Sequence, residues 1–144
     1  MALPGASSSE SFTYSAPADW IDRPLTEMRA VRLQVGESAT DECTVTVLDG
    51  DGGGALANIN RWCGQINAKP WMQAQLDSAP RISMFKAEAL LVTLGEENSP
   101  RMVLGALARM GTSSVFVKFA GARETVLARR QDFETFCTSL AQKP

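Results

Sequence analysis

The residue types most suited to chemistry lie in one segment, where a glycine-rich turn leads into a helical stretch. The turn covers residues 49–54 and consists of Asp49, Gly50, Asp51, Gly52, Gly53 and Gly54. Glycines before a helix let a phosphate approach the helix N-terminus, and aspartates in such a turn are typical calcium ligands. Both patterns are incomplete, because no parallel strand is predicted after the helix and Asn60 stands where a calcium loop has glutamate. The simpler interpretation is a tight strand-to-helix turn whose glycines adopt positive φ.

The helical stretch that follows carries a polar ridge. Its predicted binding residues are Asn58, Asn60, Arg61, Trp62 and Gln65, together with Gly52, Gly53 and Gly54 of the turn. Asparagine is unfavourable inside a helix, so two of them indicate a specific role. Short amides and an arginine can hydrogen-bond a partner's backbone or carboxylate. Two alternatives stay open: the amides satisfy the neighbouring glycine turn, and Trp62 packs in the core instead of contacting a partner.

The chain contains no histidine, which removes Ser-His-Asp and Cys-His nucleophile systems and the usual transition-metal sites. We therefore predict no catalytic residues, no metal site and no cofactor, although catalysis by two carboxylates or a serine–lysine pair stays open. The cysteines Cys43, Cys63 and Cys137 show no paired spacing. They are predicted to be buried free thiols, with one disulfide as the alternative in an exported protein.

Lys118 and a cluster of three arginines are two further charged features of the sequence. Lys118 alternates with core residues, which predicts an apolar stem on the sheet and a head in water. Arg123, Arg129 and Arg130 form a basic patch that is either a solvated helix face or a contact for an acidic partner.

The composition is that of an ordinary globular protein. Of 144 residues, 44% are hydrophobic and 21% are charged, and the net charge of -2 argues against nucleic-acid binding. No apolar run is long enough to cross a membrane. Residues 1–11 are predicted to be a disordered leader or linker without signal-peptide features, and residues 12–144 a single domain.

Periodicity places the candidate residues on an alternation of strands and helices. Strands are predicted at 12–14, 28–35, 43–47, 87–94, 101–110 and 114–120, and helices at 55–66, 122–130 and 132–141. A short helical turn is predicted over 71–76. Short connections make neighbouring strands antiparallel. The fold class is therefore α+β, an antiparallel β-sheet of five main strands covered by helices.

Three motifs carry a family resemblance. Residues 12–20 hold an aromatic-rich strand followed by Trp20, residues 116–121 run Phe-Val-Lys-Phe-Ala-Gly, and residues 133–140 follow F-x-x-F-x-x-S-L. Together they resemble the PsbP-like superfamily, which contains the extrinsic protein of photosystem II, a nuclear Ran-binding factor and many bacterial envelope proteins of unknown role. The resemblance spans roughly residues 12–141 and implies an α/β/α sandwich that binds partners and has no catalytic residues to carry over.

A narrower likeness covers the candidate site itself. Residues 52–65 are similar to the G-G-x-x-x-N-V-N-R-W-R-x-Q segment of uncharacterised bacterial proteins, several of them predicted lipoproteins, with Cys63 where that pattern has arginine. This resemblance implies a non-catalytic protein-binding or assembly module of the bacterial cell envelope, periplasmic or tethered through an N-terminal lipid anchor outside this sequence. The alternative is a small-molecule-binding protein or enzyme with a cleft at turn 49–54 and helix 55–66. A cytoplasmic location stays open.

Overall fold

The computed structural model describes residues 7–8, 12–25 and 29–142. In chain order its elements are β1 (Ser7–Ser8), β2 (Phe12–Tyr14), β3 (Trp20–Asp22), β4 (Arg29–Val35), β5 (Glu42–Asp49), α1 (Ala55–Gln65), α2 (Gln73–Ser78), β6 (Arg81–Met84), β7 (Ala87–Leu94), β8 (Arg101–Met110), β9 (Ser113–Ala122), α3 (Arg123–Ala128), α4 (Arg130–Ser139) and β10 (Ala141–Gln142). The predicted strands and main helices are all present, with ends shifted by a few residues, as is usual for local patterns.

Seven strands form one antiparallel sheet in the order β3-β4-β5-β9-β8-β7-β6. The hairpins β4–β5, β7–β8 and β8–β9 join neighbours in the sequence. The pairing of β5 with β9, from Glu42 opposite Ala120 to Asp49 opposite Ser113, joins the two halves of the chain. This confirms the predicted α+β fold with an antiparallel sheet.

Four strands, β1, β3, β6 and β10, were not predicted, and the expectation of five main strands in the sheet was too low. β3 and β6 are the two edge strands of the sheet, with three and four residues. β10 has two residues and pairs with β2 in a separate small sheet. Strands this short have too few residues for a recognisable alternation, so their pairing partners define them.

The first strand lies within the predicted leader. Ser7 and Ser8 pair with Tyr14 and Thr13, and the assignment of residues 1–11 as a leader or linker stays a prediction. The other residues of 1–11 lie outside the described residues. The prediction of one domain over 12–144 also includes 26–28 and 143–144, which lie outside them as well.

One face of the sheet packs against α3 and α4. Phe133, Phe136 and Cys137 of α4 are fully buried against inward side chains of the strands, such as Val117 and Phe119. These positions follow the spacing i, i+3, i+4 that predicted an amphipathic helix.

Helix α1 packs on the opposite face. Its buried residues Ile59, Trp62 and Cys63 belong to a second cluster with side chains of β7, β8 and β9. The two faces draw on alternate residues of the same strands, for example Phe116 towards α1 and Val117 towards α4. The result is an α/β/α sandwich.

A glycine in β8 sets how closely α1 approaches the sheet. A Cβ atom at Gly105 would lie 2.6 Å from Cζ3 of Trp62 and 2.9 Å from Cγ2 of Val92. The indole ring therefore rests directly on the backbone of β8. Because Gly105 is paired with Lys118 of β9, this contact also places Trp62 beside Lys118.

Candidate functional site

The turn before α1 has backbone φ angles that glycine adopts far more readily than other residues. Gly52, Gly53 and Gly54 have φ values of 61°, 94° and 97°, a region that side chains with a Cβ rarely adopt. A Cβ on Gly52 would also lie 2.7 Å from the ring of Phe116. Asp51 accepts a hydrogen bond from the Gly53 N–H at 3.0 Å. The positive φ predicted from the sequence is thus a property of this turn.

Asn58 joins the turn to the helix. Its side chain is buried, and its Nδ2 donates to the carbonyl oxygens of Gly52 at 2.9 Å and Gly54 at 2.7 Å. Its Oδ1 accepts from Nη2 of Arg61 at 2.6 Å. Asn58 therefore holds the turn and orients the guanidinium of Arg61, which is the structural role that the sequence left open.

Asn60 anchors the segment after the helix. Its Oδ1 accepts from the backbone N–H of Trp71 at 2.7 Å, and its Nδ2 donates to the Trp71 carbonyl at 3.3 Å. Trp71 is partly buried and packs against the cluster beneath α1. Both mid-helix asparagines thus provide hydrogen-bond partners for backbone groups of the connections, which would otherwise lack them.

A groove of about 270 Å³ lies beside α1. Helix α1 packs over β7, β8 and β9, and polar side chains of β4 and β5 lie next to it on the same face. The lining residues are Arg29, Thr44, Thr46, Leu48, Arg61, Trp62, Gln65, Phe116 and Lys118. Among these described residues three are cations and none is acidic, so they provide an electrostatic environment that favours an anion.

The three cations come from different elements. Arg29 belongs to β4, Arg61 to α1 and Lys118 to β9. Nζ of Lys118 donates to Oε1 of Gln65 and lies 5.9 Å from the centre of the Trp62 ring, within the range of a cation–π contact. Gln65 and Trp62 therefore hold the ammonium group in the lining of the groove.

Burial lowers the pKa of Lys118 from 10.5 to about 8. The nearby positive charges of Arg29 and Arg61 act in the same direction, as does Arg101, whereas Glu42 opposes them. Burial and the neighbouring positive charges both disfavour the ammonium form of Lys118, and an anion in the groove would favour it.

We expect the free energy of unfolding to depend on pH through Lys118. Between pH 8 and 10.5 the folded state has released this proton while the unfolded chain still holds it, so stability rises with pH. After allowing for partial solvent contact, the gain is about 1–2 kcal/mol. Urea unfolding of wild type and Lys118→Met across this range measures it. A difference between the two proteins that stays constant or falls would contradict the lowered pKa.

The chain is similar to known proteins in its fold. No protein-family model matches the chain, and no curated protein matches it. Among solved structures, 99% of the chain superimposes on 95% of cyanobacterial PsbP (CyanoP) from Synechocystis sp. PCC 6803, with a TM-score of 0.63 and 12% identity. The chain has a PsbP-like fold.

Two further solved structures share this PsbP-like fold. The whole chain superimposes on 90% of LpqN, described as involved in cell envelope biogenesis of Mycobacterium tuberculosis, with a TM-score of 0.54 and 10% identity. It also superimposes on a protein from Bacteroides thetaiotaomicron VPI-5482, with a TM-score of 0.57 and 14% identity. The chain covers 48% of that protein, about half its length. Identities this low show the fold alone.

Within this PsbP-like fold, the predicted binding residues separate into two groups. Arg61, Trp62 and Gln65 line the groove. Asn58, Asn60 and the three glycines build the turn and its connections. The predicted residues are neighbours in space, but about half of them position the others.

The sequence missed Arg29, Thr44 and Thr46 as residues of the groove. Thr44 lies opposite Lys118 across the β5–β9 pair, and Thr46 lies opposite Arg29 across the β4–β5 pair. Along β5, Thr44 and Thr46 alternate with the apolar residues Cys43, Val45 and Val47, which is a signal visible in the sequence. This signal points to the groove only when the pairing of β5 with β9 is known.

A second pocket, of about 430 Å³, lies near the other end of the glycine turn. Asp51, Gly54 and Ala55 contribute to it from the turn and α1, and Leu107 and Arg109 from β8. Asn58 and Arg61 do not line this pocket, because Asn58 is buried under the turn and Arg61 lines the groove.

The basic patch near the C-terminus is held by internal contacts. Arg129 donates to both carboxylate oxygens of Asp19 at 2.7 and 2.8 Å and pairs with Asp132 at 2.7 Å. Hydrogen bonding from Arg129 lowers the pKa of Asp19. Arg130 pairs with Glu134, and Arg123 donates to a backbone carbonyl. These cations tie helices α3 and α4 to neighbouring elements.

The cysteines Cys43, Cys63 and Cys137 are buried free thiols. Burial raises the pKa of all three thiols, which keeps them protonated and unreactive. No helix in the described ranges combines the length and apolar character needed to cross a bilayer.

Proposed function

We propose that this chain is a non-catalytic binding module of the bacterial cell envelope that docks a partner protein through the groove beside α1. The observation that carries the proposal is the convergence of Arg61 and Lys118, from two separate elements, on one groove that has no acidic residue among its described lining residues. Such an arrangement holds charge in place for a ligand that completes it.

The rigid support around the groove favours a docking role. Asn58 orients Arg61, and Gln65 and Trp62 hold Lys118. Preorganised side chains lose little conformational entropy on binding, so more of the contact energy appears as affinity. The envelope location, periplasmic or membrane-tethered, is supported by the likeness to LpqN.

Photo-crosslinking tests the docking surface directly. A photoreactive amino acid replaces Gly64, which lies on the exposed side of α1 with open space around it. The matched control replaces Thr135, an exposed residue of α4 on the opposite side of the sandwich. In envelope extracts of the native source, we expect a defined crosslinked protein from position 64 that is absent from position 135. Identical products from both positions, or none from position 64, would overturn the proposal.

The second pocket favours small-molecule binding as a second candidate function. Its volume of about 430 Å³ falls in the range of ligand sites, and apolar Leu107 and Phe116 lie beside charged Asp51 and Arg109. A compound that shifts the amide resonances of Ala55 and Leu107 without affecting Lys118 would support this function. A screen in which every binder perturbs Lys118 instead would remove it.

A further inference from the structure

We propose that the groove binds carboxylate side chains of an acidic peptide segment, seated between Arg61 and Lys118. This inference rests on the proposed docking function and specifies the chemistry of the partner's contact segment.

Arg61 and Lys118 line one groove and, unlike four arginines elsewhere in the molecule, form no ion pair with a carboxylate of the described residues. Arg32, Arg81, Arg129 and Arg130 each form an ion pair with an aspartate or glutamate. Among the described residues, Arg61 and Lys118 contact the neutral side chains of Asn58 and Gln65 and have no carboxylate partner. A chain of net charge -2 has carboxylates to spare, so two adjacent cations without one indicate a site for an external carboxylate.

The size and lining of the groove fit side chains of a larger partner. Its volume of about 270 Å³ is below the usual range for an entire small-molecule ligand. It accommodates one or two acidic side chains, whose methylene groups can contact Leu48, Trp62 and Phe116. The hydroxyl groups of Thr44 and Thr46 can donate to carboxylate oxygens or to the peptide backbone.

The hydrogen-bonding geometry also suits carboxylates. Arg61 uses one guanidinium nitrogen for Asn58, and further N–H groups of the same plane are available for a carboxylate. Lys118 contributes a second positive charge to the groove, as a compact ammonium group. A carboxylate between them would accept hydrogen bonds from the remaining N–H groups of both cations, and bonds in which donor and acceptor are both charged are strong.

Acidic-peptide binding should weaken as the pH rises through 8. Lys118 then loses its charge, while the arginines that face it, Arg29, Arg61 and Arg101, remain charged, as does the opposing Glu42. The loss should therefore be partial, and it should disappear in Lys118→Met.

Fluorescence polarisation with two short labelled peptides tests the inference. One peptide is rich in glutamate, and the other carries glutamine at every glutamate. With the full chain at low salt, we expect the glutamate peptide to bind at least about tenfold more tightly. Arg61→Gln and Lys118→Met should each weaken that binding about tenfold. The matched control Lys86→Gln removes one exposed lysine charge outside the groove lining and should change binding less than about twofold.

The results that would contradict this inference differ from those that would contradict the proposed docking function. Equal binding of both peptides, or equal loss in Lys86→Gln, would overturn the acidic-segment inference. Displacement of the glutamate peptide by inorganic phosphate at lower concentration than by glutamate would overturn it in favour of a phosphate site. If position 64 still crosslinks a defined protein in either case, docking stands and the carboxylate chemistry fails. Thermal unfolding of each variant verifies that it is folded.

Discussion

Replacing Gly105 with alanine should lower the free energy of unfolding by about 2–3 kcal/mol. The added methyl group would lie 2.6 Å from Cζ3 of Trp62 and 2.9 Å from Cγ2 of Val92, both of which are buried. Neither side chain can move without disturbing the cluster beneath α1, since interiors are closely packed. The midpoint of urea unfolding should fall with an unchanged dependence on urea concentration.

A matched glycine in α1 provides the control. Gly64 is exposed, helical, and has nothing within 4 Å of the position of a Cβ. Gly64→Ala should therefore stabilise the protein by up to about 1 kcal/mol, because alanine favours the helix. The same chemical change thus has opposite signs at the two positions. A double-mutant cycle of Gly105→Ala with Trp62→Phe should be non-additive. Additive costs would show that the indole contact is not the reason.

Gly105→Ala should also affect the groove. A displaced indole ring loses its position beside Lys118, which weakens the contact that fixes the ammonium group. Core packing and groove geometry are therefore linked through one residue without a side chain.

Phe136→Ala should cost about 3–5 kcal/mol, a large share of the total stability of a domain of this size. Phe136 is completely buried, and its ring lies 5.3 Å from that of Tyr14 and 5.5 Å from that of Trp20. Truncation removes these contacts and leaves a cavity between α4 and the sheet. Thermal and urea unfolding measure the loss, and the milder Phe136→Leu should cost less than half as much if the alanine variant does not fold.

Leu127 provides the control for this face. It lies in α3 and is 46% exposed, so Leu127→Ala should cost less than about 1 kcal/mol. Similar costs for the two substitutions would contradict the packing of α4 described here and the assignment of residues 133–140 as its buried face.

The sequence predicted many residues of the candidate site, but it did not predict how they are arranged in space. The polar ridge of α1 marked Arg61 and Gln65, and two asparagines in a helix interior indicated a specific role. The sequence left open whether Asn58 contacts a partner or the turn, because both require the same amide. In the structure, the side chain of Asn58 forms hydrogen bonds with Gly52, Gly54 and Arg61.

The sequence by itself determined the longer strands, the main helices, the fold class and the buried faces of α1 and α4. These depend on local periodicity: Val31, Leu33 and Val35 alternate, and Phe133 and Phe136 recur at helical spacing. The glycine turn was equally local, since positive φ is a property of single residues.

The tertiary structure decided which strands are neighbours and therefore which side chains share the groove. The pairing of β5 with β9 brings Thr44 opposite Lys118, and the pairing of β8 with β9 places Gly105, and hence Trp62, on the other side of Lys118. Periodicity assigns a residue to a face but does not choose its partner strand. That choice depends on how distant segments pack together, so a site built across three strands and a helix is defined only when the sheet is assembled.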